Sequence, residues 1–151
     1  MPLEVQQRKI DGVTILDLDG RMVAGVEVTS ARNSFNDAAA SGDKNLIVNL
    51  QKVAYIDSTG LGTLVVGHSS MQKAEGAMKL LHLSERHLQL MVISKLTTVF
   101  EIFDDEQAAI NSFYPDRGVK HFDILEFVKS QEGETEHLGG DETAPSEPSD
   151  A

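Results

Sequence analysis

The chain of 151 residues is 40% hydrophobic and has no cysteine, a composition typical of one globular domain that excludes disulfides, thiolate metal sites and cysteine nucleophiles. Its net charge of −11 is unevenly spread, because residues 131–151 carry seven acidic side chains and no lysine or arginine. The rest has neither the basic face of a nucleic-acid-binding protein nor the Lys/Arg-rich side of a membrane-surface helix, so we expect no direct nucleic-acid partner and no membrane insertion.

The first predicted element is an antiparallel β-hairpin. Alternation of apolar and polar residues indicates strands in LEVQQRKI (3–10) and VTILDLDG (13–20). Asp11-Gly12 between them is a strong signal for a type I′ turn. We therefore expect the chain to begin with two strands joined by a tight turn.

After the hairpin, the sequence alternates between helical and strand-like periodicity. The first predicted elements are a helix over 28–38 ended by SGD at 41–43, a strand over 45–50, a helix over 59–75 and a strand over 77–83. Ser84 then caps a helix that carries Leu88, Met91, Val92 and Leu96, and a strand follows over 98–103. A capping box of Asp104 with Gln107 opens the last helix, which buries Ala108, Ile110 and Phe113. This order predicts an α/β fold in which an N-terminal hairpin leads into a mostly parallel sheet of four to five strands with about four helices.

Three regions are predicted along the chain. Residues 1–113 form the folded domain. In the C-terminal extension, 114–130, Phe122, Leu125 and Val128 of HFDILEFVK lie along one helical face, with Ile124 and Phe127 nearby. This favours an extra helix packed on the domain; a helix that docks on a partner is the alternative. Residues 131–151 are too polar and acidic to form a core and are predicted to be a disordered tail.

No targeting or membrane-spanning segment is predicted. The N-terminal sequence MPLEVQQRKIDG lacks the basic start and apolar stretch of a secretion signal. No apolar run approaches the roughly 20 residues needed to cross a bilayer. We therefore expect a cytoplasmic protein.

The segment AYIDSTGLGTL (54–64) places the hydroxyls of Ser58 and Thr59 between a predicted strand and a predicted helix. A hydrolase elbow, G-x-S-x-G, requires a glycine where Ile56 stands. A dinucleotide-binding fingerprint fails because its third glycine would fall at Val65. The histidines are scattered and the clustered acids lie in the tail, so no catalytic residue and no metal site is predicted.

Two interpretations of this segment remain open from the residues alone. Asp57 or Ser58 can act as the N-cap of the helix, with Gly60 and Gly62 allowing the helix to approach the sheet. Alternatively, a hydroxyl at a helix N-terminus sits where a phosphate can be accommodated. Phosphorylation there would add about −1.5 to −2 charges beside Asp57 and would act as a switch.

At these residues the chain resembles the STAS domain of bacterial anti-sigma factor antagonists. The resemblance covers approximately residues 3–113 and rests on VAYIDSTGLGTLV after NLIVNL, on LDLDGRM at the end of the second strand, and on VISKLTTVFEIFDDEQAAI near the end of the domain. The D-S-[TS]-G-L-G core is its most specific part. The chain departs from the family at Met22 and Val23, near which many relatives carry an aspartate, and in its extension beyond the last helix.

The resemblance implies a regulator and not an enzyme. Such an antagonist binds an anti-sigma factor that is also an ATP-dependent serine kinase, and phosphorylation releases it until a metal-dependent serine/threonine phosphatase reverses the modification. Carried over to this chain, the phosphorylated residue is Ser58, with Asp57 shaping the site. The contact surface around it would comprise Thr59, Gly60, Leu61 and Gly62.

The resemblance also bears on cofactors. ATP and magnesium would belong to the partner enzymes, so no cofactor is expected on this chain. The alternative that the family allows is a non-switching STAS scaffold subunit, either of a stress-signalling assembly or of a lipid-transport ATPase complex.

Overall fold

The computed structural model describes residues 3–116 and Val128. The described residues form five strands, four α-helices and one 3₁₀ turn. In chain order these are β1 (Glu4–Ile10), β2 (Val13–Met22), α1 (Val26–Ala40), β3 (Asn45–Ile56), α2 (Ser58–Lys73), β4 (Ala77–Leu81), α3 (Glu85–Ile93), the 3₁₀ turn (Leu96–Thr98), β5 (Ile102–Phe103) and α4 (Glu106–Asn111).

The sheet has the strand order β1-β2-β3-β4-β5, with β1 and β2 antiparallel and every other pair parallel. The predicted hairpin is confirmed. Asp11 and Gly12 have φ values of 55° and 80°, and Ile10 pairs with Val13 across the turn. Positive φ at both central residues is the geometry of a type I′ turn, which Asp-Gly accommodates at low cost.

The helices cover both faces of the sheet. On one face, α1, α2 and α3 bury residues such as Phe35, Leu64 and Met91 against the strands. On the other, Ala109 and Ile110 of α4 pack in a smaller cluster with strand residues. The predicted α/β fold with a mostly parallel sheet is therefore confirmed, and α1, α2 and α3 each begin at the carboxyl edge of the sheet.

Several predicted strands have the wrong length: β2 continues to Met22, β4 ends at Leu81, and the largest differences are in β3 and β5. Strand β3 does not end at residue 50 but continues to Ile56, because its second half pairs with the end of β2 as far as Met22. The strand predicted over 98–103 is reduced to β5, and the 3₁₀ turn occupies part of the remainder.

Two predicted helix boundaries also shift. Helix α3 has the predicted N-cap, Ser84, but ends before Leu96. The N-cap of α4 is Asp105, whose side chain accepts a hydrogen bond from the Ala108 N–H, and not Asp104. Phe113 lies beyond the end of α4 and is half-buried against it.

The predictions for the C-terminal extension and the acidic tail lie outside the described residues, apart from 114–116 and Val128.

Strands β2 and β3 extend farther than their neighbours at the carboxyl edge. Pairing of β1 with β2 ends at Asp19, and pairing of β3 with β4 ends at Asn49. The β2–β3 pairing alone continues, so residues 20–22 and 53–56 form a two-stranded extension that no other described strand flanks. We call these residues the β2–β3 ribbon.

Candidate functional site

Asp57 connects the end of the ribbon to the start of α2. Its Oδ1 accepts a hydrogen bond from the Gly60 N–H at 2.8 Å, which makes it the N-cap of the helix. Its Oδ2 accepts a hydrogen bond from the Ala24 N–H at 3.0 Å, in the loop between β2 and α1. These bonds, that from Gly60 foremost, lower the pKa of Asp57 below its ordinary value. One ionised carboxylate thus joins the first turn of α2 to the loop between β2 and α1.

Ser58 is the first residue of α2, and its side chain is exposed. Its hydroxyl makes no hydrogen bond with any of the described residues, the histidines among them included. Thr59, the next residue, is also exposed. Since Asp57 already caps the helix, the capping interpretation applies to Asp57 and leaves the Ser58 hydroxyl unengaged.

The two motif glycines have different surroundings. Gly60 is buried, and a Cβ added to it would lie 2.1 Å from the carbonyl oxygen of Met22. That same oxygen accepts a hydrogen bond from the Asp57 N–H at 3.1 Å, so Gly60 lets α2 begin directly against the end of β2. Gly62 is exposed, and a Cβ added to it would meet no atom within 4 Å. The predicted approach of helix to sheet therefore holds for Gly60 only.

Leu61 anchors the first turn of α2 in the core. Its side chain is partly buried and packs against the larger hydrophobic cluster. Of the predicted contact residues, Ser58, Thr59 and Gly62 are exposed, whereas Gly60 and Leu61 support them from below. The predicted site residues thus lie at the N-cap and in the first turns of α2, where some are exposed and the others pack beneath them.

Sequence analysis missed three exposed apolar side chains around this turn. Tyr55 on the β2–β3 ribbon is 45% exposed, Val26 at the start of α1 is 63% exposed, and Val66 on α2 is 51% exposed. Val66 lies two helical turns beyond Thr59 and on the same side of α2. No local signal distinguishes these residues from core positions, because their exposure depends on how far β3 and α2 extend past their neighbours.

A second polar region lies on the sheet face that α4 partly covers. The Arg8 guanidinium binds Asp17 at 2.6 Å and Glu106 at 2.8 Å, and Asn49 donates to Asp17 at 2.8 Å. Burial alone would raise the pKa of Asp17, but the hydrogen bonds from Arg8 and Asn49 lower it overall. This network lines a polar cleft of about 310 Å³. Its charged groups are paired with one another, which ties β1, β2 and α4 together.

The described part of the chain contains neither a candidate metal site nor a candidate membrane-spanning helix. No cluster of three or more His, Asp or Glu side chains there is arranged to hold a metal ion. None of the described helices combines the length and apolar character that crossing a bilayer requires.

The fold and the site define a single-sheet α/β domain with an exposed serine at the start of its second helix. The chain belongs to the STAS-domain family, whose model matches residues 4–109. Over 89 residues it is 34% identical to the anti-sigma-B factor antagonist of Bacillus subtilis, a match that covers 57% of this chain and 81% of the relative.

Solved structures of similar fold include an anti-sigma factor antagonist from Mycobacterium paratuberculosis, with a TM-score of 0.65 and 16% identity over 73% of this chain and 92% of that one. The Bacillus cell fate determinant SpoIIAA in its phosphorylated form gives a TM-score of 0.58 and 19% identity, covering 72% of this chain and 99% of that one. These likenesses confirm the fold.

Proposed function

We propose that this protein is an anti-sigma factor antagonist whose partner is switched by phosphorylation of Ser58. In its unphosphorylated form it binds an anti-sigma factor that is also a serine kinase, and in its phosphorylated form it releases that partner. The observation that carries the proposal is the Ser58 hydroxyl, which is exposed and not hydrogen-bonded to described residues at the N-terminus of α2. The similarity to the Bacillus subtilis antagonist supports the choice of partner.

The physical basis of the switch is charge. A phosphoryl group on Ser58 would add about −1.5 to −2 charges to a turn that already holds the ionised Asp57 carboxylate. A partner surface fitted to a neutral hydroxyl would then face like-charge repulsion and the desolvation of a dianion. Changing an interface from nearly full to nearly empty requires about 5 kcal/mol, so Ser58 has to lie inside the contact and not on its rim.

The remaining parts of the proposal concern the partners. A metal-dependent serine/threonine phosphatase restores the free hydroxyl. ATP and magnesium bind to the kinase and this chain needs no cofactor, so the protein acts as a cytoplasmic regulator and not as an enzyme.

The proposal is tested by binding to a purified kinase-type anti-sigma factor of the source organism. Ser58→Asp should weaken the complex at least tenfold, or about 1.4 kcal/mol, which is a lower bound because a carboxylate carries less charge than a phosphate. Incubation with the kinase and ATP should label Ser58, as read by mass spectrometry.

Ser69→Asp is the matched control. Ser69 is also exposed on α2, about 16 Å farther along the helix axis, and its substitution adds the same charge. Binding that is unchanged by Ser58→Asp and by Ser58→Ala would rule out the switch and support the non-switching scaffold.

A further inference from the structure

Arg21 and Tyr55 form an exposed pair on the β2–β3 ribbon. They are register partners across the two strands, and both side chains are exposed, Tyr55 by 45%. Their strand neighbours Met22 and Ile56 are buried in the larger core cluster. Because side chains alternate along a strand, Arg21 and Tyr55 stand side by side on the opposite surface of the ribbon.

The side chain of Arg21 differs from that of the other arginine of the sheet, because no described residue pairs with it. Arg8 is held by two carboxylates, those of Asp17 and Glu106. The Arg21 guanidinium makes no hydrogen bond or ion pair with any residue between 3 and 116, whereas the backbone of Arg21 pairs with β3. A guanidinium keeps its charge throughout the accessible pH range and presents donors that match a carboxylate in bidentate fashion. It is therefore an exposed cation with no carboxylate partner among the described residues, on a chain whose net charge is −11.

The pair is continuous with the turn that carries Ser58. Arg21 directly precedes Met22, whose carbonyl oxygen accepts the Asp57 N–H. Tyr55 precedes Ser58 by three residues, on the strand that leads into α2. A protein that covers the Ser58 hydroxyl from the carboxyl edge of the sheet thus meets the ribbon as well.

We propose that Arg21 and Tyr55 are part of the docking surface for the protein that reads Ser58, and that this partner presents a carboxylate beside an apolar contact. Arginine and tyrosine are the residue types most often found as energetic centres of protein interfaces. The ribbon holds them on paired backbone, so little backbone entropy is lost on binding. The inference rests on the proposed function, because it assigns the anionic chemistry of that same partner.

The experiment compares Arg21→Gln with Lys73→Gln for binding to the purified kinase-type anti-sigma factor, without nucleotide and over a range of salt concentrations. Each variant removes one positive charge from an exposed position, but Lys73 lies about 22 Å from Ser58 along α2. Arg21→Gln should weaken the complex about tenfold and reduce its salt dependence. Lys73→Gln should change neither, and Arg21→Lys should recover part of the affinity.

Tyr55→Ala provides a second measurement. It should weaken the complex with no change in salt dependence, since it removes apolar contact and not charge. Circular dichroism melting of each variant checks that the fold is retained.

The outcomes separate the two proposals. If Ser58→Asp weakens binding while Arg21→Gln binds as the unaltered protein does, the docking assignment is overturned and the switch stands. If Arg21→Gln weakens binding and Ser58→Asp does not, the docking surface stands and the switch fails. If Arg21→Gln leaves nucleotide-free affinity intact and slows only the labelling of Ser58, Arg21 meets the phosphoryl donor, which overturns the carboxylate assignment.

Discussion

At the scale of single residues, Gly60 and Gly62 lie two positions apart in the first turns of α2 and serve different needs. Gly60 is required by the fold, because any side chain there would meet the Met22 carbonyl oxygen. Gly62 has open space on its outer side. An exposed glycine inside a helix lowers stability without any gain within the chain itself, so its small size is free to serve a contact outside the chain.

Alanine substitution should separate the two glycines. Gly60→Ala is expected to lower the free energy of unfolding by about 1–3 kcal/mol, since the first turn of α2 must move away from β2. Gly62→Ala is expected to raise it by up to about 1 kcal/mol through helix propensity. Urea denaturation measures both, and equal effects of the two substitutions would contradict the assignment.

The capping of α2 shows how far local sequence determines the site. Asp57 and Ser58 are both good N-cap residues, so the DST pattern predicts a cap without choosing between them. The structure selects Asp57, whose second oxygen also binds the Ala24 N–H. Ala24 is 33 residues away in sequence, and the contact exists only because β2 and β3 pair in parallel. The free hydroxyl of Ser58 follows from that choice.

At the scale of elements, α4 is held to the sheet by a buried lysine. The Lys79 ammonium donates to the Ser112 hydroxyl at 2.9 Å at the end of α4 and lies 4.3 Å from the centre of the Phe113 ring. It also contacts the Glu101 carboxylate at 3.1 Å. A cation at a helix C-terminus is favourable, and here it also meets an aromatic face.

Lys79→Met should loosen α4 selectively. The substitution keeps the aliphatic stem but removes the donor, and a hydrogen bond from a charged group contributes about 1.5–3 kcal/mol. Amide hydrogen exchange should increase in α4 and remain unchanged in α2. Lys9→Met is the control, because the only ion pair of Lys9 with a described residue is an exposed one with Asp43, worth less than about 1 kcal/mol. Uniform exchange across the molecule would count against a local anchor.

The boundary of an element could be predicted from the sequence where the residues there favour only one local conformation. Asp11-Gly12 specifies its turn from two residues alone. Asp104 and Asp105 are adjacent and equally able to cap, and the position of α4 against the sheet decides in favour of Asp105. The second half of β3 could not be predicted, since its strand conformation depends on pairing with residues more than 30 positions earlier.

At the scale of the whole molecule, a buried histidine links stability to pH. His87 on α3 is 3% exposed, and neither of its ring nitrogens has a hydrogen-bond partner among residues 3–116. Burial, assisted by the nearby positive charge of Arg86, lowers its pKa below the ordinary value of 6.5. The folded protein therefore favours neutral His87, whereas the unfolded chain binds a proton more readily.

The sign of the effect follows from this difference. Stability is fully present above pH 6.5 and falls as the pH decreases from there towards the lower folded-state pKa. His87→Leu should remove this contribution, so that stability declines less between pH 7 and pH 5.5 than in the unaltered protein. Urea unfolding at several pH values measures the difference. Parallel curves for the two proteins would show that His87 is not the titrating group.

The Tyr114 hydroxyl donates a hydrogen bond to the Asp11 carbonyl oxygen. It fixes the end of the described domain to the hairpin turn, at the edge of the sheet where β2 begins. Ser58 follows the opposite edge, about 30 Å away by the length of β2. A reporter or surface tether attached at Asp116 is therefore on the side of the domain opposite Ser58, and immobilisation at that residue leaves the serine facing the solution in a binding assay.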